Sequence, residues 1–169
     1  MHSYVFQLSQ NIVKREDWLT EDEVYENILG SLGSNAAESV EELSEDNRCM
    51  AITNLVCKWL PSELFETNGD GSFTYMGGLE EWIRSVYIPK IRLLASQIRP
   101  DKVFRLGVGS AYEVEKAIKN PLNLDSLFIM QANHHHSRAM RSGDFIEDYV
   151  SFLKPGDRIY VGAVFDYNF

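Results

Sequence analysis

The sequence predicts an α+β fold, a mixed sheet flanked by helices, and three observations carry that expectation. Residues 3–9 alternate apolar and polar side chains as a strand does, while residues 20–29 and 44–60 carry helical spacing. Asn68-Gly69-Asp70-Gly71 is a hairpin turn. After Pro100 the pattern becomes β-α-β-α-β to the end of the chain. No composition shift marks a linker, so residues 1–169 read as one domain.

The first segment, Ser3 to Ser9, places Tyr4, Phe6 and Leu8 on one face and reads as a half-buried strand. Thr20 opens a helix: Thr20 and Glu23 have capping-box spacing, and Leu19 and Val24 occupy the positions of a hydrophobic staple. That helix presents Val24, Tyr25, Ile28 and Leu29 to the core and should stop near Gly30 or Gly33. A short helical turn is expected over Ala36–Leu43. Ser44 then caps a longer helix with Cys49, Ile52, Leu55, Val56, Trp59 and Leu60 on one side, ending before Pro61.

Strands over Leu64–Thr67 and Ser72–Met76 flank the hairpin turn. Leu79 to Ile98 forms an amphipathic helix that Pro89 should kink or split. The final segment reads as a strand at Val103–Val108, a helix at Ala111–Lys119 and a strand at Ser126–Gln131. A helix at Ser137–Leu153, a turn at Pro155-Gly156-Asp157 and a strand at Arg158–Asp166 complete it. The apolar run Ile159–Phe165 marks that last strand as interior. If the last three strands are parallel, their carboxyl ends gather Gly109, Ser110, Asn133–His136 and Asp166–Phe169 on one edge.

The net charge is −9, unevenly placed: residues 1–81 carry a net −12 and residues 82–169 a net +3. From Glu16 to Asp46 there are 11 carboxylates and no Lys or Arg. Such a field repels nucleic acid and attracts basic partners. Arg84, Lys90, Arg92, Arg99, Lys102 and Arg105 lack the interleaved aromatics of single-strand binders, so no direct nucleic-acid contact is expected. The expected role is an interaction protein whose face of Glu38, Glu41, Glu42, Glu45 and Asp46 docks on a basic macromolecular surface. The extreme form of such a protein is a nucleic-acid mimic from a mobile element.

Cys49 and Cys57 lie eight apart in one helix, about 12 Å, too far for a disulfide. They read as small buried residues in a reducing, cytoplasmic setting. Residues 1–20 lack a basic stretch followed by an apolar one, so no secretory leader is expected. No uncharged apolar stretch approaches the roughly 20 residues of a membrane helix.

The alternative expectation is a small metal-dependent hydrolase or phosphate-ligand binder built on the histidine run. In extended backbone His134 and His136 project to one side, and Asp166 or Asp144 would supply a carboxylate to complete a metal site. Ser137, Arg138 and Arg141, at the start of a helix, would hold a phosphate or carboxylate. Against it, Asp144, Glu147 and Asp148 follow closely enough to neutralise both arginines.

Two further motifs match only partly. Gly107-Val108-Gly109-Ser110 lacks the third glycine of a dinucleotide fingerprint, with Tyr112 in its place. Residues 66–77 resemble a calcium loop but end in Gly77 where a bidentate glutamate is needed. No catalytic set and no cofactor is called for.

Overall fold

A computed structural model describes residues 3–33, 38–101, 109–132 and 135–168. At its centre is β7 (Arg158–Asn168), 11 residues long and buried continuously from Val161 to Phe165. One side of β7 pairs antiparallel with β1 (Ser3–Ser9). Its other side is shared between β4 (Ser72–Tyr75), which takes Arg158–Tyr160, and β2 (Ser39–Glu42), which takes Phe165–Asn168. Beyond β1 lies β5 (Leu127–Ala132), running parallel to it. The short strands β3 (Phe65–Thr67) and β6 (His135–His136) stand at the outer ends of the order β3-β4-β7-β1-β5-β6. The mixed sheet, of seven strands among the described residues and with helices packed against it, is an α+β fold.

Helices cover both faces. On one side α1 (Glu21–Leu32) buries Val24 and Ile28 against Val5, Leu127, Ile129, Ala163 and Phe165. Thr20 and Glu23 form the expected capping box: the Thr20 hydroxyl accepts from Glu23 N, and the Glu23 carboxylate accepts from Thr20 N at 2.8 Å. On the other side α2 (Glu45–Asn54) and α6 (Ser142–Asp148) pack over Phe6, Phe128, Met130 and Val164.

Covering both faces makes β1 an interior strand rather than a half-buried one. Gln7, on what reads as its polar face, is fully buried. Its amide does the work of the ladder at an irregularity between Phe6 and Leu8: Oε1 accepts from Ala163 N at 3.0 Å and Leu19 N at 3.3 Å, while Nε2 donates to Asp17 O at 3.0 Å. A buried amide with its hydrogen bonds made is tolerated where an unpaired one is not.

Two helices widen into π turns directly before a proline. Leu55–Trp59 extends α2 up to Pro61, and Ile83–Tyr87 joins α3 (Leu79–Trp82) to α4 (Ile88–Ser96), where Pro89 follows. The wide turn lets Ile88 N–H bond to Ile83 O and absorbs the donor that proline lacks, so the chain stays helical. Along this helix only Trp82 is buried; Leu93 remains 63% exposed.

Four further expectations are corrected. Ser39–Glu42 is a strand rather than a helical turn, because β7 outruns β4 and captures Val40 opposite Tyr167. The helix expected from Ser137 begins at Ser142 and gives way to a 3-10 turn at Val150–Phe152. Residues 137–140 instead stay extended and bond back to β5, with Met140 and Phe128 exchanging both backbone bonds at 2.9 Å. Cys49 and Cys57 are exposed, since the buried stripe of α2 runs through Ala51, Ile52, Leu55 and Val56. Finally, β7 runs antiparallel to β1, so its carboxyl end does not join that of β5. The expected strand at Val103–Val108 lies outside the described residues. No helix among the described residues is long and apolar enough to cross a membrane.

Candidate docking face and the clefts beside it

The acidic residues nominated from the sequence sit where β2 leads into α2. Glu38 precedes β2 and donates its backbone N–H to Asn168 O; Glu41 and Glu42 belong to the strand; Glu45 and Asp46 form the first turn of α2. Glu38, Glu41, Glu45 and Asp46 are exposed and Glu42 is half-buried. The first turn of α1 adjoins them, since the Glu21 carboxylate accepts from Glu42 N at 2.8 Å.

This face is not free of cations. Lys14, Arg15 and Arg48 flank the basic-free stretch in sequence and fold back onto it. Lys14 pairs with Glu16 at 3.5 Å, Arg15 with Glu42, and Arg48 with Glu45 at 3.0 Å. The guanidinium carbons of Arg15 and Arg48 also stand 4.0 and 4.6 Å from the centre of the Trp18 ring, a cation–π arrangement. Glu42 and Glu45 therefore help to hold the arginines. Glu38, Glu41 and Asp46 have no cation within ion-pair distance among the described residues. At Glu23 the Thr20 backbone and hydroxyl donors lower the carboxyl pKa, so that acid serves the helix cap.

The histidine edge is taken apart by the topology. His134 lies outside the described residues. His135 and His136 are exposed in β6, opposite Ala132 and Gln131. Asp166 stands opposite Tyr4, at the other end of β1. Carried across the parallel β1–β5 register, the two positions are five residues apart along the strand, roughly 16 Å. His136 and Asp166 therefore cannot share one ion. Among the described residues no three His, Cys, Asp or Glu side chains converge as ligands.

The proposed anion site of Ser137, Arg138 and Arg141 is corrected with the helix. Ser137 Oγ accepts from Met130 N at 2.9 Å and extends the β5 pairing. Arg138 lies near Asp144 at 3.9 Å and Asp148 at 3.7 Å, the neutralisation that the spacing allows. Of the two arginines, Arg141 is the one with no carboxylate in ion-pair range among the described residues.

The two partial motifs resolve as structure. Gly107 and Val108 lie outside the described residues; Gly109, with φ +100°, precedes α5 (Ser110–Lys119), and Ser110 Oγ donates to Gln97 O at 2.9 Å. In the hairpin, Asp70 accepts from Ser72 Oγ at 2.6 Å and pairs with Arg158, which also donates through Nε to Ser72 Oγ at 2.8 Å. The Ser72 hydroxyl and the Arg158 guanidinium together hold the Asp70 carboxyl below its ordinary 3.8.

Two adjoining clefts, of about 540 Å³ between α1, α5 and the start of β5 and of about 710 Å³ between α1, α5 and α6, share Leu32, Lys119 and Arg141 in their linings. Lys116 and Lys119 were not singled out from the sequence as site residues. Their signal is the spacing of Tyr112, Lys116 and Lys119, at i, i+4 and i+7 on one face of α5. Comparison of the chain with protein-family models, with curated proteins and with solved structures finds no match.

Proposed function

We propose that the protein is an interaction protein that docks through its β2–α2 face onto a basic surface of another macromolecule. The reading is supported by the exposure of Glu38 just before β2, Glu41 within it and Asp46 in the first turn of α2, none of which has a cation in ion-pair range among the described residues. Carboxylates not committed to internal pairs keep their charge available for steering and for salt-dependent contact. The experiment compares the triple variant Glu38→Gln, Glu41→Gln, Asp46→Asn with the charge-matched control Glu63→Gln, Glu66→Gln, Glu113→Gln. Association with a polylysine peptide and with lysozyme is followed against ionic strength. The first variant should slow association and flatten its salt dependence, while the control behaves as the parent. Equal losses in both would show that total charge alone acts, and the reading would fall.

A further inference from the structure

The cleft beneath α5 gathers features that the acidic face does not use. Leu124, Leu127, Tyr112 and Tyr167 line it, together with the cations Lys116 and Arg141. The volume of about 540 Å³ falls in the range of small-molecule sites, which pair an apolar lining with a few placed polar groups.

The position of Arg141 is built by three neighbouring contacts. Asn27 of α1 grips the preceding segment, donating to Ser137 O at 2.9 Å and accepting from Ala139 N. Just after Arg141, the Ser142 hydroxyl donates to Asn120 Oδ1. Gly143 lies so close to α5 that a Cβ would stand 2.7 Å from Lys119 O. The chain on either side of Arg141 is thus pinned against the carboxyl end of α5, and Arg141 lines the cleft.

Of the 14 lysines and arginines among the described residues, Lys58, Lys90, Arg92, Lys116, Arg141 and Lys154 have no carboxylate in ion-pair range, and of these six only Lys116 and Arg141 line this cleft. Lys119 is occupied by Glu115 at 2.7 Å, yet Lys116 and Arg141 have no carboxylate within ion-pair distance among the described residues. Asp125 also lines the cleft, and its backbone carbonyl is taken by the Tyr167 hydroxyl at 2.8 Å. The Tyr167 hydroxyl is thus engaged, and the residue is buried.

We infer that this cleft binds a small organic anion, a phosphate or carboxylate group carried on a flat apolar body. The anionic group would lie between Arg141 and Lys116, where a guanidinium offers paired donors, and the apolar body would lie against Tyr112, Leu124 and Leu127.

Phenyl phosphate is the probe, with benzyl alcohol as its neutral counterpart, followed by amide NMR shifts in the full chain. Phenyl phosphate should saturate at one site, shifting residues around Lys116, Ser126 and Arg141, and benzyl alcohol should bind at least about tenfold more weakly. Arg141→Ala should weaken phenyl phosphate by about tenfold, whereas Arg138→Ala, whose side chain is paired with Asp144 and Asp148, should leave it unchanged. No saturable shift at the cleft, equal binding of the two probes, or equal losses in both variants would overturn the inference.

Discussion

Arg48 donates from Nε to the carbonyl of Gly162 at 2.7 Å, reaching from α2 into a gap in the pairing of β7. The gap exists because β4 ends its register at Tyr160 and β2 begins at Phe165. Nη2 of the same guanidinium takes the Val161 carbonyl at 2.8 Å, so one planar fork stands in for the missing stretch of strand.

Arg48→Ala should therefore leave two carbonyls with no protein donor where the side chain is only 14% exposed. A loss of about 2–6 kcal/mol is expected, at roughly 1–3 kcal/mol for each abandoned acceptor. Arg48→Lys can reach one carbonyl at a time and should recover part of it. Urea unfolding decides; an unchanged midpoint in Arg48→Ala would refute the account.

On the opposite edge of the same residue, a Cβ at position 162 would stand 2.7 Å from Gln7 Oε1. Gly162→Ala should cost about 1–3 kcal/mol by overpacking, and Gln7→Ala a similar or greater amount by stranding the N–H groups of Leu19 and Ala163. Because Gln7→Ala removes the nearest atoms and leaves only Val13 Cγ1 at 3.0 Å, the second substitution should cost less in that background. Strict additivity in the double-mutant cycle would argue against the contact.

Acid stability should report the Asp70–Ser72–Arg158 cluster. Asp70 has a folded pKa below its ordinary 3.8, so its contribution is complete above that value and is lost as pH falls through the folded pKa. Asp70→Asn should thus make the stability curve shallower below about pH 4. A curve parallel to the parent's at low pH would contradict this.

At the alkaline end the sign reverses. Burial pushes the Tyr167 phenol up to about 12, so the folded state keeps a proton that the unfolded chain releases near 10. Stability should decline as pH rises from about 10 to about 12, and Tyr167→Phe should reduce that decline. Tyrosinate absorbance should show this phenol titrating late, as burial also makes Tyr149 do. Ionisation of every tyrosine near 10 would exclude it.

At the amino end of α1, Thr20→Ala removes the hydroxyl that accepts from Glu23 N. The loss should be about 1 kcal/mol, seen as a lower urea midpoint with unchanged helical circular dichroism at 25 °C. Thr20→Ser should restore most of it. A fully stable alanine variant would show that the cap contributes nothing.

What was legible in the sequence is local. Thr20 with Glu23 specified the start of α1, Asn68-Gly69-Asp70-Gly71 specified the hairpin, and alternation specified β1 to the residue, because caps, turns and strand periodicity involve neighbours only a few positions apart. The acidity of the front half is likewise a matter of counting. Which carboxylates are held by arginines was hidden, since Arg15 and Arg48 lie on either side of the counted stretch and reach it only after folding.

Tertiary pairing decided the rest. Ser39–Glu42 became a strand because β7 offered an unfilled edge, and residues 137–140 stayed extended because β5 and Asn27 bond them from two sides. The antiparallel run of β7 sent Asp166 to the end of the sheet away from His136, and the close approach at Gly143 set Arg141 beside α5. Strand direction and tertiary backbone bonding join residues from about a dozen to more than a hundred positions apart, and no local pattern of side chains encodes them.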